Sequence, residues 1–271
     1  MFTTRTLRRR ALALVAGLTI AAGAGLATTA SSASTNTTPK PTVVLVHGAF
    51  ADSSSWNGVA DRLQNDGYHV IGAANPLRSL PGDSAYISSV LRSVTGPIVL
   101  VGHSYGGSVI TNAAAGNPNV KALVYVAAFA PDAGETATNI LTTFPGSTLN
   151  PTLQPLPLAD GSVDLTVRQD LFHQQFAADL PARDGRLAAV AQRPVSAAVF
   201  DQPTGTPAWK TIPSYFEIPT ADKNIPLAAQ RYMASRAHGT AITVQGASHA
   251  VLISQPGITT KLIERAAHET N

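Results

Sequence analysis

Apolar positions along the chain come in short runs set between polar, glycine- and proline-containing stretches, and two periods alternate. TVVLV (42–46) is a continuous β-branched run, the pattern of a strand buried on both faces. A helix is predicted from Ser53 to Asn65, opened by serines and broken by Gly67. HVIGA (69–73) predicts the second strand and Ser84 to Val94 the second helix. After Gly96-Pro97, IVLVG (98–102) is the third strand, Tyr105 to Ala115 the third helix, and KALVYVAAFA (121–130) a fourth strand stopped by Pro131. Strands that alternate with helices predict a parallel sheet covered on both faces.

The alternation lapses over residues 131–205. LPLADGSVDLTV (156–167) has the form of a hairpin about Asp160-Gly161. Leu171 to Phe176 and Leu187 to Gln192 have the spacing of short helices. After Pro213 the alternation returns, with strands at SYFEI (214–218) and TAITVQ (240–245) and helices at Pro226 to Ala237 and Pro256 to His268. The last helix carries Ile258, Leu262, Ile263 and Ala266 on one face. The expected class is therefore α/β: a doubly wound, mainly parallel sheet of about six strands, with a helical cap (about 131–205) inserted after the fourth. Residues 42–271 form one domain, and no repeat of solenoid or propeller period interrupts it.

The first residues follow a different logic. Arg5, Arg8, Arg9 and Arg10 precede an apolar stretch from Ala11 to about Ala27, and ATTASSAS follows. This is the layout of a signal peptide, with cleavage after Ala30 or Ala33. Residues 1–33 are expected to be removed on export by the Sec or the twin-arginine route, leaving 34–41 as a flexible lead-in. The stretch is short for a membrane span and is diluted by Gly17, Gly23 and Gly25, so no stable membrane anchor is expected.

Composition changes the picture in two places. The net charge of +3 comes from 19 basic and 16 acidic residues. Removing the four leading arginines leaves 15 against 16, a net of −1, so the basic character supports no nucleic-acid partner. The chain has no cysteine, which excludes disulfides, thiol catalysis and cysteine-ligated zinc. A hydrophobic share of 44% with 13% charged residues is that of a packed globule rather than a disordered chain.

The chemistry centres on LVGHSYGG (100–107), where Gly102-His103-Ser104-Tyr105-Gly106 is G-x-S-x-G between a strand and a helix. In that context the motif is a nucleophile elbow, and Ser104 is the candidate nucleophile. A serine hydroxyl needs a base. His249, in the loop between the last strand and last helix, lies at the carboxyl edge of the sheet, where sites of such folds gather. His47 and His103 adjoin glycines near the same edge and are expected to brace loops. No H-x-x-x-H or H-E-x-x-H spacing occurs, so neither a metal nor another cofactor is expected. The acid that orients the histidine is Asp222, in IPTADKNIP after the fifth strand, or Asp132, in FAPDAGE after the fourth. Strand position and the chain order serine, acid, histidine favour Asp222.

VLVHGAF, VGHSYGG, VYVAAFAPD, TADKNIP and GASHAVLISQP together resemble the α/β-hydrolase superfamily, and more narrowly the plant methylesterase and hydroxynitrile-lyase group with its bacterial esterase relatives. The resemblance spans about residues 42–268. It implies a Ser104–Asp222–His249 triad and an oxyanion hole from the backbone N–H groups of Ala49 and Tyr105. Hydroxynitrile lyases of the group carry Thr after the strand-end histidine and Lys after the catalytic histidine; here those positions are Gly48 and Ala250. Epoxide hydrolases and haloalkane dehalogenases carry Asp at the elbow, where this chain has Ser104. The expected activity is thus hydrolysis of small to medium carboxylic esters through an acyl-enzyme, with a small-molecule ester as the partner. Phe50, Phe172 and Phe176 are the candidate pocket residues. Lactone, thioester or peracid-forming chemistry on the same triad is the alternative, and a noncatalytic ligand-binding relative is the alternative of a different class.

Overall fold

The computed structural model describes residues 39–270; the expected signal segment, 1–33, lies outside the described residues. The strands in chain order are β1 (Thr42–Val46), β2 (Val70–Ala73), β3 (Ile98–His103), β4 (Val120–Val126), β5 (Leu153–Pro157), β6 (Val163–Val167), β7 (Val195–Ser196), β8 (Ser214–Pro219) and β9 (Thr240–Val244). Six of them form one parallel sheet in the spatial order β2-β1-β3-β4-β8-β9. The helices are α1 (Asn57–Asn65), α2 (Leu80–Ser93), α3 (Tyr105–Ala113), α4 (Ala137–Thr143), α5 (Gln169–Phe176), α6 (Ala182–Ala191), α7 (Leu227–Arg236), α8 (Val251–Ser254) and α9 (Pro256–Thr270).

The unbroken apolar runs of the central strands follow from the two-sided core. Successive side chains leave a strand on opposite faces. Val44, Val46, Leu100, Leu123 and Tyr125 join Ile87 and Leu91 of α2, Val109 and Ile110 of α3 and Met233 of α7 in one core. Their alternates Val43, Leu45, Val99, Val101 and Val124 join Leu63 of α1 and Leu262, Ile263 and Ala266 of α9 in the other. Most residues of these strands therefore need an apolar side chain, and no regular polar alternation survives.

Three differences from the sequence reading have local causes. β4 ends at Val126 rather than running to Ala130, because Ala127 takes φ 45° and turns the chain out of the sheet. α2 starts before Ser84: Ser79 caps it, its side chain accepting from Gly82 N–H, and a proline occupies the first turn. The segment between β4 and β8 is not purely helical. Besides α4, α5 and α6 it holds an antiparallel sheet β5-β6-β7. The hairpin lies where Asp160-Gly161 predicts it, with Gly161 at φ 83° and the Asp160 carboxylate accepting from Ser162 N–H. The third strand is only two residues long, too short to leave a periodic signal, and the Gln192 amide extends the pairing by bonding both N–H and C=O of Val167 at 2.7 Å each.

Candidate active site

The sheet order brings the ends of β1, β3, β8 and β9 to one edge, and the candidate residues follow those ends. Ser104 stands between β3 and α3 with φ 53° and ψ −124°. That left-handed conformation costs a non-glycine residue about 1–3 kcal/mol and needs a rigid setting. Here Ser104 N–H donates to Val126 C=O at 3.2 Å, and Ser104 C=O accepts from Gly107 N–H at 2.9 Å and Phe129 N–H at 3.2 Å. The glycines of the motif are required by backbone approach. A Cβ on Gly102 would lie 2.6 Å from Gly106 O, one on Gly106 2.6 Å from Val46 O, and one on Gly107 2.2 Å from Phe129 O.

His249 and Asp222 meet across the loops after β9 and β8. His249 Nδ1 lies 2.8 Å from Asp222 Oδ2, with both side chains buried. A carboxylate facing a ring nitrogen accepts, so Nδ1 carries the hydrogen and Nε2 presents its lone pair. That Nε2 is buried with no partner among the described residues, the Ser104 hydroxyl included. Asp222 is itself held at four points: Oδ1 accepts from Asn224 N–H at 2.7 Å and Ile225 N–H at 3.0 Å, and Oδ2 accepts from Gln230 Nε2 at 2.9 Å as well as from His249. Asp132 lies elsewhere, its carboxylate 2.6 Å from Lys210 Nζ.

The other two candidate histidines hold the loops. His47 Nε2 accepts from Asn75 N–H at 3.0 Å, which puts the ring hydrogen on Nδ1, 3.0 Å from Gly48 C=O. Burial lowers its pKa, and the backbone bond to Gly48 opposes this. His103 Nε2 donates to the His249 carbonyl oxygen at 3.0 Å, and the two rings lie 4.8 Å apart. Burial, then the neighbouring His249, holds His103 well below the ordinary histidine pKa, so it is neutral. The Tyr105 hydroxyl is drawn away from the site, donating to Asp83 Oδ2 at 2.8 Å, and burial raises its pKa. Its backbone N–H is at the start of α3, where helix N–H groups lack internal acceptors. Ala49 follows β1 and lines the same cavity as Ser104.

That cavity has a volume of about 450 Å³ and also reaches His249. Phe50 and Phe176 are in its wall, their rings edge to face at 6.4 Å. Phe172 is not. It stacks behind Phe176 at 5.0 Å and lines a separate cleft of about 150 Å³. Leu141, Leu149, Phe129 and Phe200 extend the apolar wall, and Asn224 and Asp201 are its less obvious polar members. Neither polar residue carries a signal in the sequence. Asn224 is distinguished only by standing two positions after Asp222. Among the described residues no group of three or more His, Cys, Asp or Glu side chains is arranged to hold a metal ion, and no helix is long and apolar enough to cross a membrane.

A family model described as the alpha/beta hydrolase family matches residues 43–260, and the chain belongs to that family. It is 27% identical over 254 residues to an alpha/beta hydrolase, nvfD, of Aspergillus novofumigatus (strain IBT 16806), covering 85% of this chain and 98% of that one. It is 32% identical over 111 residues to a carbendazim hydrolyzing esterase of Nocardioides sp. (strain SG-4G), covering 36% of this chain and 46% of that protein. In structure it matches polyneuridine aldehyde esterase with a TM-score of 0.73, at 18% identity, covering 84% of this chain and 99% of that one, a likeness of fold. The chain is thus a member of the alpha/beta hydrolase family, and a carbendazim hydrolyzing esterase is among the proteins it resembles in sequence.

Proposed function

We propose that the protein is a serine hydrolase that cleaves small to medium carboxylic esters through an acyl-enzyme, and that it acts after export. The observation that carries the reading is the His249 imidazole. Its Nδ1–H is committed to Asp222, while its buried Nε2 has no partner among the described residues, and His249 lines the cavity of Ser104. In the first step Nε2 takes the Ser104 proton as Oγ attacks the ester carbonyl carbon. The carbonyl oxygen becomes an oxyanion, held by the N–H groups of Ala49 and Tyr105, each worth a few kcal/mol. Collapse of that intermediate breaks the ester C–O bond, and the alcohol leaves with the proton from Nε2. Water then repeats the sequence on the acyl-serine and releases the acid. The Ser104 Oγ to Nε2 hydrogen bond that this step needs is not formed in the free protein, and such bonds are often long before substrate binds and tighten only in the bound state. No cofactor enters these steps.

The test is hydrolysis of p-nitrophenyl butyrate together with labelling by a fluorophosphonate. Wild-type protein is expected to do both, and Ser104→Ala neither. A Ser104→Ala variant with full activity overturns the reading. A wild type that binds esters without turnover or labelling makes the protein a binding module instead. N-terminal sequencing of the exported protein tests the localisation, with a mature start after Ala30 or Ala33 expected.

A further inference from the structure

Asn224 is 3% exposed and sits in the loop that carries Asp222. Among the described residues its side-chain amide has one hydrogen-bond partner: Gln175 Nε2 donates to Asn224 Oδ1 at 2.8 Å. Chemistry fixes which end of the amide faces which way. Gln175 Nε2 also donates to the Lys223 carbonyl at 3.1 Å, a group that can only accept, and Gln175 Oε1 accepts from the Thr148 hydroxyl at 3.0 Å. Both ends of the glutamine amide are thereby assigned, so Asn224 must turn its oxygen toward Gln175. Its Nδ2 then points the other way, buried and without a partner among the described residues, in a residue that lines the cavity of Ser104 and His249.

A buried donor with no acceptor is costly, and native structures keep few of them without a use. The surroundings narrow what that use is. Among the described residues no lysine or arginine lines the cavity, whose wall mixes apolar side chains such as Phe50, Leu149, Phe176 and Ile225 with neutral polar ones such as Thr138, Thr142 and Ser147. An anionic group on the substrate would find no basic counter-charge there, and an acidic residue, Asp201, is among the lining. A neutral acceptor oxygen meets both conditions.

We infer that Asn224 Nδ2 is a substrate-recognition donor, and that the site favours uncharged esters with a second acceptor oxygen over plain alkyl esters of the same size. This rests on the esterase reading above. Asn224 is a specificity residue, and Gln175 acts through it by holding the amide in one orientation. Where a site is built to bond a substrate oxygen, the analogue lacking that oxygen is disfavoured because the donor stays unpaired.

The test uses two pairs of esters that differ by one CH2-to-O exchange: ethyl methoxyacetate with ethyl butyrate, and ethyl 3-methoxypropanoate with ethyl pentanoate. The quantity is the ether-over-alkyl ratio of kcat/KM, compared between wild type and variants so that intrinsic reactivity cancels. In Asn224→Leu that ratio is expected to fall at least fivefold in one or both pairs, and in Gln175→Leu to move in the same direction. If Asn224→Leu does not fold, as judged by circular dichroism, Asn224→Asp carries the test. It keeps the acceptor for Gln175, replaces the donor by an oxygen, and must lower or invert the ratio. A folded variant that hydrolyses both members of each pair with the wild-type ratio overturns the inference and leaves the esterase reading standing. A wild type that hydrolyses none of the four esters and takes no fluorophosphonate overturns both.

Discussion

His103 and His249 are joined twice, by the hydrogen bond from His103 Nε2 to the His249 carbonyl at 3.0 Å and by ring contact at 4.8 Å. The residue beside Ser104 in sequence thus holds the backbone of the histidine opposite it in space. His103 is a positioning residue in this arrangement. His103→Phe keeps a ring of similar size but loses the donor, and a misplacement of about 1 Å costs on the order of 100-fold in rate. The expected outcome is a fall in kcat of about 10- to 100-fold with a smaller change in KM. A variant with unchanged kcat would show that the bond has no part in placing His249.

The two candidate carboxylates separate cleanly under mutation. Asp222→Asn replaces a group that accepts four hydrogen bonds and would favour the wrong histidine tautomer, so kcat is expected to fall by about 10³- to 10⁴-fold. Asp132 makes a part-exposed ion pair with Lys210, worth at most about 1 kcal/mol, and Asp132→Asn should keep kcat within about threefold. Steady-state kinetics on both variants decide the assignment, and the reverse ordering would refute it.

Gly48 has a steric role at the junction of two loops. A Cβ there would lie 2.7 Å from Ser104 Cβ and 2.8 Å from His103 O. Gly48→Ala must therefore displace the elbow, and fluorophosphonate labelling of Ser104 is expected to slow by about 100-fold or more. Gly48→Thr, which places there the residue found in hydroxynitrile lyases, should be at least as damaging and should not release cyanide from a cyanohydrin. Labelling of Gly48→Ala at the wild-type rate would contradict this account of the elbow.

Glu217 in β8 predicts a pH dependence of stability. It is 1% exposed, neither carboxyl oxygen has a hydrogen-bond partner among the described residues, and burial pushes the carboxyl up to about 8. Between the ordinary glutamate value near 4.5 and pH 8 the folded protein keeps the proton while the unfolded chain releases it. Its contribution to stability is thus fully present below about pH 4.5 and is lost as pH rises toward 8, by linkage on the order of a few kcal/mol. Thermal melts should show Glu217→Gln equal to wild type near pH 4.5 and more stable at pH 8.5, by several degrees. Parallel melting curves across that range would remove Glu217 as the source.

The sheet was legible because two-sided burial leaves a strong mark: TVVLV and IVLVG could not be exposed on either face. The elbow was legible for a related reason, since its glycines answer to main-chain approach that no larger residue survives. The contact of Asp222 with His249 followed from its position after a strand. What escaped was set by contacts distant in sequence. Nothing near Gln175 announces Asn224 as its partner, and nothing near Phe172 says that Phe176 screens it from the cavity. β7 escaped because two residues have no period, and the early start of α2 because serines at both 79 and 84 can cap a helix, the choice being made by the proline between them.

The sheet order has a consequence in time. Ala49, Ser104, Asp222 and His249 follow four different strands, and β4 finds its neighbour β8 only after the whole intervening segment has been bridged. Pairings between such distant stretches form late, because the loop must close before any contact rewards it. On refolding, helical signal should therefore return before the proposed nucleophile, Ser104, can be labelled. Covalent labelling of that single hydroxyl then serves as a clock for the last step of sheet assembly, reporting chain by chain which molecules have finished.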